Sequence, residues 1–389
     1  MNPRIFVLTL VTFAFGSGAF IFAGMLENLA ADLHVTTSVA GQLQTVFVLT
    51  SAVLGPLAAW AFGRVDRKYM VMGGLGLGLL LHIACSMTPN FTSLLGLRAL
   101  AGLAGAMSGP AASVAAASLA PPERRGSAIA MVSSGMTLAF VVGIPMGSLV
   151  GAAFGWRSTF LVAACLSAIA LTAVTFFLPK VPAPPKRDGG SLNLPLVWPF
   201  YLTTFLTFAA NMTLNLYIQP IVRVGAGVTG AGVGAFQAMI GVGSIAGLAL
   251  GARAADRNEG RGWILQGFAI QATAMSVHFA ATHHVLPPGW PSAALVALGI
   301  FLAATALFSI TPVVQSRLIQ ATGGAPVALA LNGSVVSLGQ ALGSAVGGLA
   351  LHLSGVPAIP AAALAMSLTA MTTLAFLFPR SKEKVEAGA

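Results

Sequence analysis

Polar side chains recur along one side of an otherwise apolar segment in the second half of the chain. Thr204, Thr207, Asn211, Asn215 and Gln219 follow one another at spacings of three, four, four and four residues. Such spacing places all five on one face of a helix. Amides and hydroxyls that faced lipid would lack hydrogen-bond partners, so this face must meet protein or water. Two uses fit this pattern: hydrogen bonding to a neighbouring helix, or the wall of a cavity for a polar, uncharged ligand, which we favour.

Other amides and hydroxyls are candidates for the opposite wall of such a cavity. The second half offers Gln237, Asn332, Ser337 and Gln340, and the first half offers Gln42 and Thr45. Apolar contacts to the ligand would come from residues that more often serve only for packing, namely Phe15, Phe20, Phe205, Phe208 and Met136.

Arg98 is a basic residue inside an apolar segment. It lies about eight residues from the start of that segment, or roughly 12 Å along a helix. A guanidinium at the centre of a bilayer costs about 2.5–3.5 kcal/mol, so Arg98 should face a cavity or a partner. The alternative is that its long side chain reaches back to the headgroups.

Carboxylates that would pair with Arg98 are scarce. Seven of the nine acidic residues lie in polar loops or at the C-terminal end, and the other two, Glu27 and Asp32, end the first apolar segment. Glu27 lies roughly 33 Å along a helix from residue 5, which is at a membrane interface. It is either a proton carrier in a water-filled vestibule or a simple interfacial carboxylate.

Metal, nucleotide and disulfide chemistry is not indicated by the sequence. Histidines and acids do not cluster at metal-ligand spacing, and Cys85 and Cys165 lie in apolar segments. The glycines of 73–78 fall inside an apolar segment with no preceding strand, so they do not form a phosphate-binding loop. We therefore expect no metal, no cofactor and no ATP hydrolysis.

Composition places these segments in a membrane. Hydrophobic residues make up 57% of the 389 residues and charged residues 7%, and the mean hydropathy is +0.89. A water-soluble domain of this length could not cover its surface with so few charges. Segments long enough to cross the hydrocarbon core occur twelve times, at 5–26, 36–61, 69–88, 91–117, 126–152, 156–178, 195–221, 228–252, 262–282, 290–312, 325–350 and 355–378.

A stripe of glycines occupies the fifth of these segments. Gly143, Gly147 and Gly151 recur every four residues, so a neighbouring helix can approach closely. Pro145 removes the backbone bond to Val141, so the helix should bend there. The stripe is either an ordinary packing surface or part of a moving seam.

The same pattern returns in the second half of the chain. Gly339–Gly347 matches Gly143–Gly151 at an offset of 196 residues, with Ala341 in place of the proline, and Gly55–Ala59 matches Gly251–Ala255. This duplication predicts an all-α membrane protein of twelve transmembrane helices in two pseudo-symmetric halves. A proline-rich stretch separates them, which gives a first half at 1–178, a cytoplasmic linker at 179–194, a second half at 195–380 and a cytoplasmic tail at 381–389.

The basic residues predict which side of the membrane each loop faces. With the N-terminus inside, 16 of the 19 Lys and Arg residues fall in inner segments, and only Arg157 and Arg223 fall in outer ones. This asymmetry puts both termini in the cytoplasm. The net charge of +10 is spread over separate loops, so it does not predict nucleic-acid binding.

Together these features resemble the major facilitator superfamily. Within it, the chain is similar to the twelve-span drug:proton antiporters, including bacterial exporters of sugars, purines or chloramphenicol. The motif of Gly143, Pro145, Gly147 and Gly151 resembles one associated with exporters, which implies outward transport. Leu97–Gly102 resembles the fourth-span motif of that family, which implies a role for Arg98 in proton coupling. Relatives often carry a first-span acid, but this chain has Gly18-Ala19-Phe20 there, so Glu27 is the nearest substitute.

Two loops resemble the motif that latches the cytoplasmic gate in this family. One is Gly63–Lys68, which lacks a glycine of the motif, and the other is Ala255–Arg261. The resemblance implies gating roles for Asp66, Arg67, Asp256 and Arg257. The alternative is that these charges only orient the chain in the membrane.

We therefore expect a secondary exporter of drugs or metabolites that exchanges a small organic molecule for protons. Its two halves would rock around the substrate. We expect it to act as a monomer in the inner membrane of a bacterium. A specific exporter of sugars, nucleosides or amino acids is the alternative. A receptor or an intramembrane enzyme is the competing class, but the sequence shows neither an output domain nor paired acids, a serine dyad or clustered histidines at membrane depth.

Overall fold

The computed structural model describes residues 4–62, 64–121, 124–182, 194–287, 289–322 and 326–377. In these ranges the chain is helical without strands, which confirms the all-α prediction. The first half contains α1 (Arg4–Phe20), α2 (Leu26–Asp32), α3 (Thr37–Ala61), α4 (Arg67–Ser86), α5 (Phe91–Leu119), α6 (Arg125–Leu138), α7 (Ile144–Phe154) and α8 (Trp156–Phe177). The second half contains α9 (Leu194–Asn215), α10 (Ile218–Ala226), α11 (Gly232–Asp256), α12 (Arg261–Thr282), α13 (Trp290–Thr322), α14 (Pro326–Ser354) and α15 (Ala358–Leu377).

Within the described ranges, ten helices are long and apolar enough to cross a membrane. They coincide with ten of the twelve predicted spans. The other two predicted spans coincide with α9–α10 and with α12, which carry buried polar side chains, among them Asn211, Gln271 and His278, that lower their hydropathy. Residues 183–193 of the predicted linker and the predicted tail at 381–389 lie outside the described residues.

Side-chain caps and glycines set several helix ends. Thr36, Asp66 and Asn90 accept hydrogen bonds from the first-turn N–H groups of α3, α4 and α5 respectively. Gly155, with φ of +84°, separates α7 from α8 at a backbone conformation that other residues rarely adopt.

The two halves pack against each other along two seams. One seam is formed by α3 and α14, and the other by α11 with α7 and the π-helical segment Ala139–Gly143 that precedes it. We call the end of the bundle that contains α2 and the start of α3 the Glu27 end. The opposite end, where α3 ends and α4 begins, is the Asp66 end.

The glycine stripe packs within the first half and not across the seam. A Cβ atom added to Gly143 would overlap Ser17 of α1, one added to Gly147 would overlap Ile21 just after α1, and one added to Gly151 would lie 2.6 Å from Met25 Cγ. The stripe therefore lets α7 approach α1 and the turn after it to a distance that no other residue type permits.

The matching stripe of α14 packs on α9 in the same way, but its register differs from the one that the sequence predicts. Gly155 and Gly355, both at positive φ, end α7 and α14, and they are 200 residues apart. Hence Gly143 corresponds to Gly343, which lies against Met212 and Thr213. A stripe that repeats every turn looks the same after a shift of four residues, so the glycine pattern and the helix ends align these two helices differently.

Candidate functional site

A cavity of about 170 Å³ lies between the two halves near the middle of the bundle. Its wall contains four amide side chains, and its other residues are apolar. The first half contributes Phe20, Ala23, Met136, Phe140 and Ile144. The second half contributes Phe208, Asn211, Met212, Asn215, Gln237, Ile240, Ala304, Leu307, Phe308, Val336 and Gln340.

The amides of the wall are Asn211, Asn215, Gln237 and Gln340, all of which are candidate ligand-binding residues in the sequence. Asn211 donates from Nδ2 to the carbonyl of Ala303 at 3.1 Å and accepts a hydrogen bond from Asn215. Gln237 accepts from the hydroxyl of Ser148. Its Nε2 group is buried and has no hydrogen-bond partner in the described structure, so the wall holds an unused donor.

The other predicted ligand-binding residues lie outside this cavity wall. Thr207 is buried and donates to Thr203 of its own helix at 2.7 Å. Asn332 accepts from Thr204 at 2.8 Å, which joins α14 to α9. Gln42 lies beside Gly348 on the α3–α14 seam, where a Cβ atom on the glycine would be 3.2 Å from its Nε2.

The polar stripe of α9 and α10 thus divides into three environments along its length. Thr204 and Thr207 make helix contacts, Asn211 and Asn215 face the cavity, and Gln219 reaches the first half. Its Nε2 donates to Asn28 Oδ1 and its Oε1 accepts from the backbone N–H of Glu27, each at 2.8 Å. Helix contacts therefore account for one part of the stripe and a second part lines the cavity, where ligand binding stays a prediction.

A row of aromatic rings crosses the cavity. The ring centroids of Phe20 and Phe140 are 5.4 Å apart, and those of Phe140 and Phe308 are 5.7 Å apart in an edge-to-face arrangement. Phe20 and Phe140 belong to the first half and Phe308 to the second. Sequence reasoning identified Phe20 but missed Phe140 and Phe308, because an isolated phenylalanine in an apolar helix carries no signal of what it faces.

The backbone that carries Phe140 is irregular. Ala139–Gly143 is π-helical, with the N–H of Ile144 bonded to the carbonyl of Ala139, five residues earlier. Pro145 follows directly and has no N–H to continue the ladder. The proline therefore coincides with a π-helical segment, a feature that often lies at functional sites.

Arg98 is fully buried in the first half, and its side chain does not reach the headgroups. It donates from Nη1 to the carbonyl of Gly18 at 3.2 Å, and from Nη2 to the carbonyl of Ala19 at 2.9 Å. Its guanidinium also lies 4.8 Å and 4.2 Å from the ring centroids of Phe22 and Phe47.

The partner of Arg98 is thus a helix end and not a carboxylate. Because α1 stops at Phe20, its last carbonyls lack intrahelical partners and carry the negative end of the helix dipole. Gln44 completes the set by accepting from Arg98 Nη2 at 3.0 Å. Sequence reasoning chose Gln42 and missed Gln44. The two residues are two positions apart on a helix, so their side chains face different directions.

Glu27 pairs with the second half of the chain. Its carboxylate makes a bidentate ion pair with Arg223 of α10, at 2.9–3.1 Å. Ser38 adds a hydrogen bond to the carbonyl of Gly348 at 2.6 Å. These contacts join the halves at the Glu27 end, and the bond from Ser148 to Gln237 joins them between that end and the cavity.

At the Asp66 end, the side chain of Asp66 and the backbone of Arg67 bind their own half. Asp66 Oδ1 accepts from the N–H groups of Lys68 and Val181 at 2.8 and 3.1 Å, and the N–H of Arg67 donates to the carbonyl of Val181. Lys68 Nζ donates to the carbonyl of Thr175 at 2.8 Å. These contacts attach the start of α4 to the last turn of α8 and to the chain that follows it.

The corresponding loop of the second half is held by a residue that sequence reasoning missed. Asp256 and Arg257 are exposed where α11 ends. Arg317 of α13 donates to the carbonyls of Asn258 and Glu259, the latter at 3.2 Å. In the described parts of this loop, Arg317 is the cation that binds the backbone. The sequence did not indicate this contact, because Arg317 lies 58 and 59 residues from the carbonyls that it binds.

Known proteins resemble this chain along most of its length. Residues 8–325 match the sequence model described as Major Facilitator Superfamily. The chain is 30% identical over 356 residues to the inner membrane transport protein YdhP of Escherichia coli (strain K12), covering 90% of this chain and 88% of that protein. It is 28% identical over 362 residues to a chloramphenicol resistance protein of Streptomyces lividans, covering 89% and 88%.

A solved structure shares the fold. A bacterial homologue of the human lysosomal transporter Spinster, in an inward-facing and unoccupied conformation, superposes with a TM-score of 0.69. The match covers 97% of this chain and 94% of the other at 17% identity.

Proposed function

Because this chain belongs to the major facilitator superfamily, whose members are multi-pass membrane transporters and not enzymes, we propose that it is a secondary active exporter of small organic molecules. It resembles transporters of the bacterial inner membrane. Transport proceeds by alternating access, in which the two halves rock around the central cavity.

The proposal gives the chain twelve spans, with α9–α10 and α12 as the seventh and ninth. Polar residues inside a transporter lower the hydropathy of a span without preventing it from crossing, because they face protein or a cavity. The Asp66 end carries Arg64, Arg67, Lys68, Arg253 and Arg257. By the positive-inside rule this end faces the cytoplasm, together with both termini.

The contacts between the halves carry the proposal of alternating access. Glu27, Asn28 and Ser38 of the first half bond to Gln219, Arg223 and Gly348 of the second, all at the Glu27 end. At the Asp66 end, Asp66, Lys68 and Arg317 bind their own halves. The arrangement is that of a transporter closed to the outside, whose substrate would enter from the cytoplasm.

Direction and substrate follow from the motif and the cavity. The stripe with Pro145 resembles an exporter motif, and a relative is a chloramphenicol resistance protein. The cavity wall has four amides, twelve apolar residues and no charged side chain. Such a wall suits an uncharged molecule with an aromatic or aliphatic body and a few hydrogen-bonding groups. The unused donor of Gln237 would bind one of them.

A second candidate function is the export of a specific polar metabolite, such as a sugar, nucleoside or amino acid. The four amides favour it, because hydroxyl-rich ligands need several hydrogen bonds. The aromatic row of Phe20, Phe140 and Phe308 favours the amphipathic compound instead.

Protons are the proposed coupling ion, and Arg98 and Glu27 are the proposed coupling residues. Arg98 joins α5 to the break between α1 and α2, and Glu27 lies on α2. A movement of the broken first helix would therefore displace Glu27 and Phe20 and change the contacts of Arg98.

Proteoliposomes test the function directly. Vesicles that contain the protein are loaded with chloramphenicol, a sugar, a nucleoside or an amino acid, and a pH gradient is imposed. We expect gradient-driven flux of the amphipathic compound, which stops when an ionophore collapses the gradient. If none of the four classes moves, the exporter proposal is wrong. Flux that ignores the gradient would refute proton antiport alone.

A further inference from the structure

The two halves contribute unlike side chains to the central cavity. The amides of its wall, Asn211, Asn215, Gln237 and Gln340, all belong to the second half. The side chains that the first half adds to the described wall are all apolar. A molecule in this cavity therefore meets hydrogen-bonding side chains on the side of the second half only.

Neighbouring groups fix the orientation of the Asn215 amide. Asn211 Nδ2 donates to the carbonyl of Ala303 at 3.1 Å, so Asn211 Oδ1 is left as an acceptor, and it accepts from Asn215 Nδ2. The end of Asn215 that has no partner among the described residues is therefore Oδ1. Since Asn215 is half-buried and lines the cavity, it offers a ligand an acceptor.

Gln340 offers both kinds of hydrogen-bonding atom. Its backbone carbonyl accepts from the hydroxyl of Ser344 at 2.7 Å, but its side chain has no hydrogen-bond partner in the described part of the chain. An amide side chain donates from its nitrogen and accepts at its oxygen. A carboxamide, or a hydroxyl next to a carbonyl, presents the complementary donor and acceptor on one edge of a ligand.

The first-half wall has no side chain that could bind a polar group. The ring centroids of Phe20 and Phe140 are 5.4 Å apart, and Met136 lies one turn before Phe140 in the same wall. A hydroxyl or amide buried against these side chains would lose its bonds to water without a replacement. One such unpaired group weakens binding about 5- to 150-fold. The first half thus selects against molecules that are polar on the side it faces.

We propose that the substrate is an uncharged molecule whose polar groups lie along one edge, an inference that rests on the proposed export function. It binds with that edge on Asn215 and Gln340 and with its apolar face on Phe20 and Phe140. Because its hydrogen bonds to side chains all belong to the second half, they need not break when the halves rock. A sugar, which carries hydroxyls on all its sides, does not match this wall.

A pair of ligands tests the one-sided arrangement. Naphthamide carries one carboxamide on its rings, and the matched dicarboxamide carries a second one at the opposite end. Dissociation constants are measured by titration calorimetry with the protein in nanodiscs, against empty nanodiscs. We expect the wild type to bind the monoamide at least about fivefold more tightly than the diamide. Equal binding of both compounds, tighter binding of the diamide, or binding of neither overturns the proposal.

Matched substitutions in the two halves locate the side that selects against the second carboxamide. Met136 of α6 and Met212 of α9 both line the cavity. Met136→Gln gives the first-half wall a hydrogen-bonding group, so we expect the preference for the monoamide to fall at least about threefold. Met212→Gln adds the same group beside the existing amides and should leave the preference within about twofold.

Any other pattern overturns the one-sided arrangement, whether the preference falls in both variants, in Met212→Gln alone or in neither. If Met136→Gln fails to fold, Met136→Thr supplies a smaller polar group at the same position.

Removal of one amide tests the polar edge itself. Gln340→Leu eliminates a donor and an acceptor, and we expect it to weaken monoamide binding about three- to tenfold. The control is Gln42→Leu, because Gln42 lies beside Gly348 on the α3–α14 seam and outside the wall. Its replacement should leave binding within about twofold. Unchanged binding in Gln340→Leu would contradict the contact that we assign to this side chain.

These binding measurements need no ion gradient, so they separate the inference from the proposed function. If the binding pattern is found but no compound moves in proteoliposomes, the export proposal is wrong and the one-sided site stands. If chloramphenicol flux is found but the binding pattern fails, export stands and the one-sided site is wrong.

Discussion

The ion pair between Glu27 and Arg223 is the contact whose removal tests alternating access most directly. Three of its atom pairs lie at 2.9–3.1 Å, and it joins α2 of the first half to α10 of the second. The substitution Glu27→Gln keeps the size of the side chain but removes its charge. It leaves the backbone bond from Glu27 to Gln219 in place, so the ion pair alone is perturbed.

The expected magnitude follows from exposure. The side chains of Arg223 and Glu27 are 48% and 22% exposed, so water screens their attraction. Such a pair contributes about 0.5–1 kcal/mol. Since 1.4 kcal/mol is a factor of ten, the ratio of molecules open at the Glu27 end to molecules closed there should rise about two- to fivefold. High salt should move the wild type in the same direction by screening the pair.

Electron–electron resonance between two nitroxide labels measures that ratio. Labels are attached at Ala31→Cys and Thr229→Cys, exposed positions on either side of the Glu27 end, after both native cysteines are replaced. The control is Asp32→Asn, which removes a similarly exposed ion pair with Arg157 inside the first half. The reasoning fails if Glu27→Gln leaves the distance distribution unchanged, or if Asp32→Asn shifts it equally.

Three further substitutions test the packing, the cavity and the buried cation. Gly147→Val should lower the free energy of unfolding by about 1–3 kcal/mol, because its side chain would overlap Ile21. Thermal melting checks this against the control Gly76→Val, because a Cβ atom at Gly76 would meet no other atom within 4 Å. Phe140→Ala opens the aromatic row, so competition assays should show tighter binding of bulkier compounds, a change that exposed Phe176→Ala should not produce. Arg98→Lys loses the planar donors that reach two carbonyls and Gln44. We expect the free energy of unfolding, measured by thermal melting, to fall by about 1.5–3 kcal/mol. An unchanged melting temperature would contradict the assigned contacts.

Much of the architecture was predictable because hydropathy and periodicity are local properties. The apolar segments predicted where the helices lie, because a chain in lipid has few ways to satisfy the hydrogen bonds of its backbone N–H and C=O groups. The spacing of Asn211 and Asn215 likewise foretold that they share a face. Local patterns do not fix the register where the repeat is degenerate: the glycine pattern matches Gly143 to Gly339, and the helix ends pair it with Gly343.

The partners of the polar residues were less predictable. The sequence indicated that Arg98 needs a partner, and an acid was the expected kind. The partner is the end of α1, which exists only because the first helix breaks after Phe20. Nothing in Gly18-Ala19-Phe20 marks its carbonyls as acceptors, since any residue has a carbonyl and only the geometry of the break exposes it.

By itself, then, the sequence determined the membrane environment, the helical fold and the existence of an uncharged polar face, since each depends on composition and on spacing within one helix. Only the tertiary structure decided which polar residues meet. It divided one stripe among helix packing, the cavity and the Glu27 end, brought Phe140 between Phe20 and Phe308, and set Glu27 against Arg223, 196 residues away. Contacts between distant segments depend on how helices cross and where they break, and those angles are set by all the packed side chains together.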